Sequence, residues 1–207
     1  MPPARLALIA DGFTAPERAE RVVTAVQAGV RWVHLRDHQA RRDDFARAAE
    51  ALVERLRAID ASVACSVNTL VEVARALDTG VHVGRRGPSV EAARDRLAPG
   101  TLVGYSAHDL LDTQSDRTQA PDYFFFSPVF PTASKPDHPG TGTTVLETFC
   151  QAARPTPTLA LGGITPERVP RCRSAGAYGV AVLSGIMDAD APAAAARAYL
   201  RALAAPA

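Results

Sequence analysis

PTLALGGITPERVPRCRSAGAYGVAVLSGI, residues 157–186, contains a complete strand–helix–strand unit and sets the reading of the whole chain. An apolar run at 157–162 breaks at Gly162-Gly163. Thr165-Pro166-Glu167 then supplies a cap and a first-turn proline for a helix over 165–175. Gly176 stops that helix, and a second apolar run follows at 178–183. Both runs are continuous rather than alternating, as expected of parallel strands covered on both faces.

The same unit recurs outward to both ends. Further strands are expected at 5–10, 30–36, 62–67, 80–84, 101–105 and 122–129. Helical patterns lie at 15–28, 42–58, 69–78, 88–97, 108–118, 144–153 and 189–204, with Thr14 and Ser89 as start signals and Gly29, Gly80 and Gly100 as stops. Eight strand–helix units predict an α/β fold of the (β/α)8 or TIM-barrel type, one domain over 1–207, near the short end for that architecture. Loops should then be brief, so the long one at 130–143 stands out as functional.

Composition is that of an ordinary soluble globular chain: 47% hydrophobic, 22% charged, net charge +1. Nothing in that balance draws the chain to nucleic acid or a membrane surface. No apolar run suits a signal peptide or a membrane span, and the three scattered cysteines, Cys65, Cys150 and Cys172, suggest neither disulfides nor a metal pair. A cytoplasmic protein is expected, with homo-oligomerisation left open.

In such barrels chemistry gathers at the carboxyl ends of the strands. Those ends carry Asp11, Arg36, Asp37, His38, Asn68, Arg85, Ser106, His108, the 127–142 loop, Gly162-Gly163 and Ser184-Gly185. Cations, hydroxyls and glycines dominate, which suits an anionic substrate. Glycines ending the last two strands leave bare backbone N–H groups for a phosphate. Of the 23 basic side chains, 22 are arginine; the one lysine, Lys135, sits in the long loop beside Thr132 and Ser134. A lysine retained in so arginine-rich a chain points to a need for a compact ammonium. Arg36 suits a two-pronged grip on an oxyanion. Ser106 reads as a hydroxyl donor, Ser106-x-His108 is weak evidence for a nucleophile, and His34 and His82, inside strands, read as structural.

The motifs HLRDH (34–38), SVNTL (66–70), GVHVG (80–84), GYSAH (104–108), DYFFFSPVFPTASK (122–135), LGGIT (161–165) and GVAVLSGI (179–186) together resemble the thiamine phosphate synthase/TenI superfamily. That resemblance implies a TIM barrel that handles thiazole phosphate. The synthase joins it to a pyrimidine pyrophosphate and releases pyrophosphate, whereas TenI tautomerises a thiazole phosphate carboxylate. By position it assigns Gly163, Ser184 and Gly185 to the thiazole phosphate. Arg36, Asn68, Ser106 and Lys135 fall on the pyrophosphate side, with Thr132 and Ser134 adding hydroxyls.

The departures matter as much. Synthases place aspartates for magnesium after the third and fourth strands, where this chain has Thr69 and Gly87. A lysine of the second-strand motif is replaced by His38, and Pro128 stands where TenI has a histidine. Three readings follow. The one preferred on sequence is metal-independent, TenI-type chemistry on small phosphorylated heterocycles, with no cofactor, catalytic Lys135 and Arg36, and His38 or His108 moving the proton. The second is a synthase whose magnesium site is rebuilt around Asp37 or Asp109. The third is a non-catalytic binder of thiamin phosphates. Arg85 is expected to replace the metal in gripping an anion.

Overall fold

Eight parallel strands close on themselves in chain order, β1 to β8, in a computed structural model that describes residues 1–113 and 120–205. They are β1 Leu6–Asp11, β2 Trp32–Arg36, β3 Ala64–Asn68, β4 Gly80–Val83, β5 Val103–Ala107, β6 Tyr123–Phe126, β7 Thr158–Leu161 and β8 Gly179–Val182. Closure is made by β1 and β8, with Leu6 opposite Val180 and Leu8 opposite Val182. Every strand read from the sequence is present, and the fold is a single-domain TIM barrel.

Helices follow the strands: α1 Pro16–Gln27, α2 Arg42–Ile59, α3 Val71–Ala76, α4 Val90–Arg94, α5 Gly142–Ala152, α6 Val169–Ser174, α7 Ser184–Met187 and α8 Pro192–Ala204. Ser89 caps α4 as expected, its hydroxyl accepting from the Ala92 N–H at 3.1 Å. Thr14 does not cap α1; its hydroxyl donates to Asp37 Oδ2 at 2.5 Å. The helix expected over 108–118 is, among described residues, a single 3-10 turn, Leu110–Thr113. Residues 114–119 of that expectation lie outside the described residues.

Side chains alternate along each strand, so one set faces the helices and the other fills the barrel. Outward, Leu6, Leu8 and Ala10 join the large core shared with the helices. Inward, the filling is lopsided. Trp32, Tyr123 and Phe125 crowd one side, with Trp32 and Tyr123 edge to face at 4.8 Å and His82 stacked on Phe125 at 4.3 Å. The side formed by β8 and β1 carries Ala7 and Ala181 instead. Small residues there leave room above them, and a cavity opens in that room.

Candidate active site

The cavity, about 410 Å³, opens at the carboxyl rim. Its floor is Ile9, Leu161 and Ala181; its walls are the β7 turn (Gly162, Gly163, Ile164), the β8 turn (Leu183, Ser184, Gly185) and the long loop (Ser127, Pro128, Thr132 to Lys135). Gly162 and Gly163 both have positive φ, 95° and 61°. A Cβ on Gly163 would lie 2.3 Å from the Pro131 carbonyl oxygen, so the turn passes under the loop only as glycine.

Seven of the residues expected from the sequence line this one space: Arg36, Thr132, Ser134, Lys135, Gly163, Ser184 and Gly185. Thr132 and Ser134 hydroxyls are 3.1 Å apart, and the Lys135 N–H donates to the Thr132 carbonyl at 3.0 Å, which folds the loop tip back on itself. Burial, and then the Arg36 guanidinium, lower the Lys135 pKa from its ordinary value. Two cations thus face one cavity, and among the described residues only Arg36 has a carboxylate, Asp11 at 2.8 Å. Asp188 also lines the space, but it is paired with Arg18 at 2.7 Å.

The remaining expected residues lie elsewhere. His38 is exposed on the loop after β2, away from the cavity lining. His108 Nδ1 is 2.7 Å from the Ser127 carbonyl oxygen. A carbonyl can only accept, so Nδ1 holds the proton and the ring serves as a strut for the loop. Neither histidine is among the residues that line the cavity. Asn68 ends β3 and Ser106 is the penultimate residue of β5, and neither lines the cavity. Ser106 Oγ lies 2.9 Å from His82 Nε2, not on His108.

His34 and His82 are buried with ring centroids 5.1 Å apart. Burial, and then the Arg36 charge, push His34 down to about 3; burial and His34 lower His82 well below its ordinary value. Both are neutral parts of the barrel filling, as read from the sequence.

Arg85 corrects an expectation. It donates to Asp109 Oδ2 at 2.6 Å and to both Asp112 oxygens at 3.0 and 3.1 Å, so two carboxylates already neutralise it. It borders a separate groove with Gly84, Tyr105 and Phe124. The same contacts test the magnesium expectation. Asp109 is committed to Arg85, while Asp37 accepts from Thr14 and from the N–H groups of Gln39 and Ala40. Magnesium needs hard, anionic oxygen donors, and Thr69 and Gly87 supply none. The residues present do not fit a protein-held magnesium ion.

Sequence reasoning passed over Arg18 and Asp188, whose pairing depends on residues far apart in sequence. It also missed Arg168, whose Nη1 donates to the Gly163 carbonyl at 2.6 Å, and Tyr199, whose hydroxyl donates to the Ile164 carbonyl at 2.8 Å. Only the tertiary structure brings either side chain to the turn.

A family described as thiamine monophosphate synthase matches residues 6–186. Among curated proteins, a thiamine-phosphate synthase of Chlorobium luteolum is 32% identical over 94% of this chain and 91% of its own length. One from Synechococcus is 36% identical over 95% of this chain, which spans only 56% of that relative. Among solved structures, the thiamine phosphate pyrophosphorylase of Pyrococcus furiosus superposes with a TM-score of 0.85 at 26% identity, covering 98% of this chain and 96% of that one. Among the described residues, no helix is long and apolar enough to cross a membrane.

Proposed function

Since the chain belongs to the thiamine monophosphate synthase family of thiamine-biosynthesis enzymes, we propose that it joins a thiazole phosphate to a pyrimidine pyrophosphate and releases pyrophosphate. One observation carries the reading: Lys135 and Arg36 share a single cavity with both glycine turns. The turns offer backbone N–H groups to the thiazole phosphate. Lys135, Arg36 and the Thr132 and Ser134 hydroxyls hold the pyrophosphate of the second substrate.

The bond between the pyrimidine methylene carbon and the pyrophosphate oxygen breaks with its electron pair going to oxygen. The thiazole nitrogen then supplies the pair for the new carbon–nitrogen bond. Charge builds on the departing oxygens, and fixed cations at a partly desolvated rim stabilise that charge more than water would. Asp11 keeps the Arg36 guanidinium in place for this, and Ser127 and His108 hold the loop that carries Lys135. No step is assigned to a protein-held magnesium.

This order reverses the preference drawn from sequence alone. Relatives named as synthases match nearly the whole chain, and no histidine lines the cavity to move the proton that tautomerisation requires. The test is incubation with both synthase substrates, with and without magnesium, beside Lys135→Ala. Thiamin phosphate formed by the parent protein and lost in the variant is the expected result. Tautomerisation of a thiazole carboxylate phosphate without any coupling would overturn it, as would ligand-raised melting without turnover of either kind.

A further inference from the structure

Two side chains outside the cavity hold its β7 turn from behind. Arg168, half-buried, donates to the Gly163 carbonyl, and its guanidinium lies over the Phe130 ring, 4.7 Å from the centroid. Tyr199, from the middle of α8 and 2% exposed, donates to the Ile164 carbonyl. Burial pushes that phenol up to about 12, so it keeps its proton. The same hydroxyl stands directly behind the β8 turn, where a Cβ on Gly185 would meet it at 2.1 Å.

A trans peptide is planar, with its C=O and N–H pointing in opposite directions. Drawing the carbonyls of residues 163 and 164 toward Arg168 and Tyr199 therefore aims the N–H groups of Ile164 and Thr165 the other way. Ile164, though not Thr165, lines the cavity, and no backbone carbonyl among the described residues accepts from the N–H of either. A turn containing two glycines has little rotational stiffness of its own. Left untied, its peptides are free to rotate and present a carbonyl oxygen to the anion.

We propose that Arg168 and Tyr199 are positioning residues that tie back two consecutive carbonyls, so that the β7 turn meets the substrate phosphate with donors only. The proposal rests on the reading that the glycine turns hold that phosphate. Arg168 has a second effect through Phe130. It stacks on the loop segment that covers Gly163, so the turn and the loop bearing Lys135 are held in one register.

The test compares calorimetric binding of thiazole phosphate and of the corresponding thiazole alcohol to the parent protein, Tyr199→Phe, Arg168→Met and Arg168→Lys. Loss of either tie should weaken binding of the phosphate ester by about tenfold, the scale of one hydrogen bond to a charged system. Binding of the alcohol should stay within about twofold. In the coupling assay KM for the thiazole phosphate should rise with kcat nearly unchanged, and Arg168→Lys should recover part of the loss. Tyr199→Phe keeps the ring, and Arg168→Met keeps the stem off the core, so one folded variant is sufficient. A parent protein that prefers ester over alcohol, with the preference intact in both variants, overturns the inference alone. A parent protein with no such preference overturns the phosphate reading beneath it. Equal weakening of both ligands would mark a merely structural role and also overturn the inference.

Discussion

Burial and the neighbouring Arg36 both lower the affinity of Lys135 for its proton, so its folded pKa lies below the unfolded value. Between those two values the unfolded chain binds more protons, and stability rises with pH across that window. Below it the ammonium weakens the fold slightly while serving an anion. Lys135→Met should therefore melt no lower than the parent protein at neutral pH, yet bind inorganic pyrophosphate at least about tenfold more weakly. In the parent protein, pyrophosphate binding should fall as pH rises through the lowered pKa, and Lys135→Arg should hold its affinity to higher pH. Calorimetry across pH, beside thermal melts, reads both. Thr69 is a second residue under tension, a β-branched side chain at φ 63° whose N–H donates to the His82 carbonyl at 2.9 Å. Asparagine tolerates that backbone better, so Thr69→Asn should gain about 1 kcal/mol in urea unfolding. Lys135, Arg36 and the glycine pairs were legible in the sequence because each is chemically conspicuous where a strand must end. Arg168 and Tyr199 were not, because an arginine in a turn and a tyrosine in a helix look ordinary until folding sets them against two carbonyls.

The strands were legible because each is a continuous apolar run closed by glycine or a polar residue, and a covered parallel sheet leaves such a run no other use. In the described part of the segment after β5, Leu110 and Leu111 form a 3-10 turn and neither is buried, so that turn has no apolar face packed on the core. Asp112 organises the turn instead. Its Oδ2 accepts from the N–H groups of His108 at 2.8 Å and Asp109 at 3.2 Å, and it pairs with Arg85 while its side chain is only 5% exposed. Asp112→Ala should cost about 2 kcal/mol, since it strands two N–H groups and half of Arg85's partners. Asp112→Asn, which keeps an acceptor, should cost less. Urea midpoints compare the two, and equal losses would mean that charge, not the acceptor, holds the turn.

Across the whole mouth, charge is divided unevenly. On the β4–β5 side Arg85 is neutralised by Asp109 and Asp112, while on the side of β7, β8, β1 and β2 Lys135 and Arg36 face an open cavity over small barrel residues. The sequence showed a rim rich in cations but not which of them are free, because ion pairs across 24 or 27 residues of chain decide that. The same map locates the missing carboxylates. Thr69 follows β3 and Gly87 lies in the loop after β4, and a Cβ on Gly87 would lie 2.9 Å from Thr69 Cγ2. Gly87→Asp alone meets that methyl group, whereas replacing both residues removes it and brings two carboxylates together. Thr69→Asp combined with Gly87→Asp should therefore bind pyrophosphate more than about tenfold more tightly in millimolar magnesium than in chelator. In the parent protein, which lacks anionic donors there, the same comparison should move affinity less than about threefold. A parent protein as magnesium-responsive as the double variant would mean that the substrate's own oxygens recruit the metal. The carboxylates would then be dispensable to this rim, and Lys135 and Arg36 would be acting beside magnesium rather than in its place.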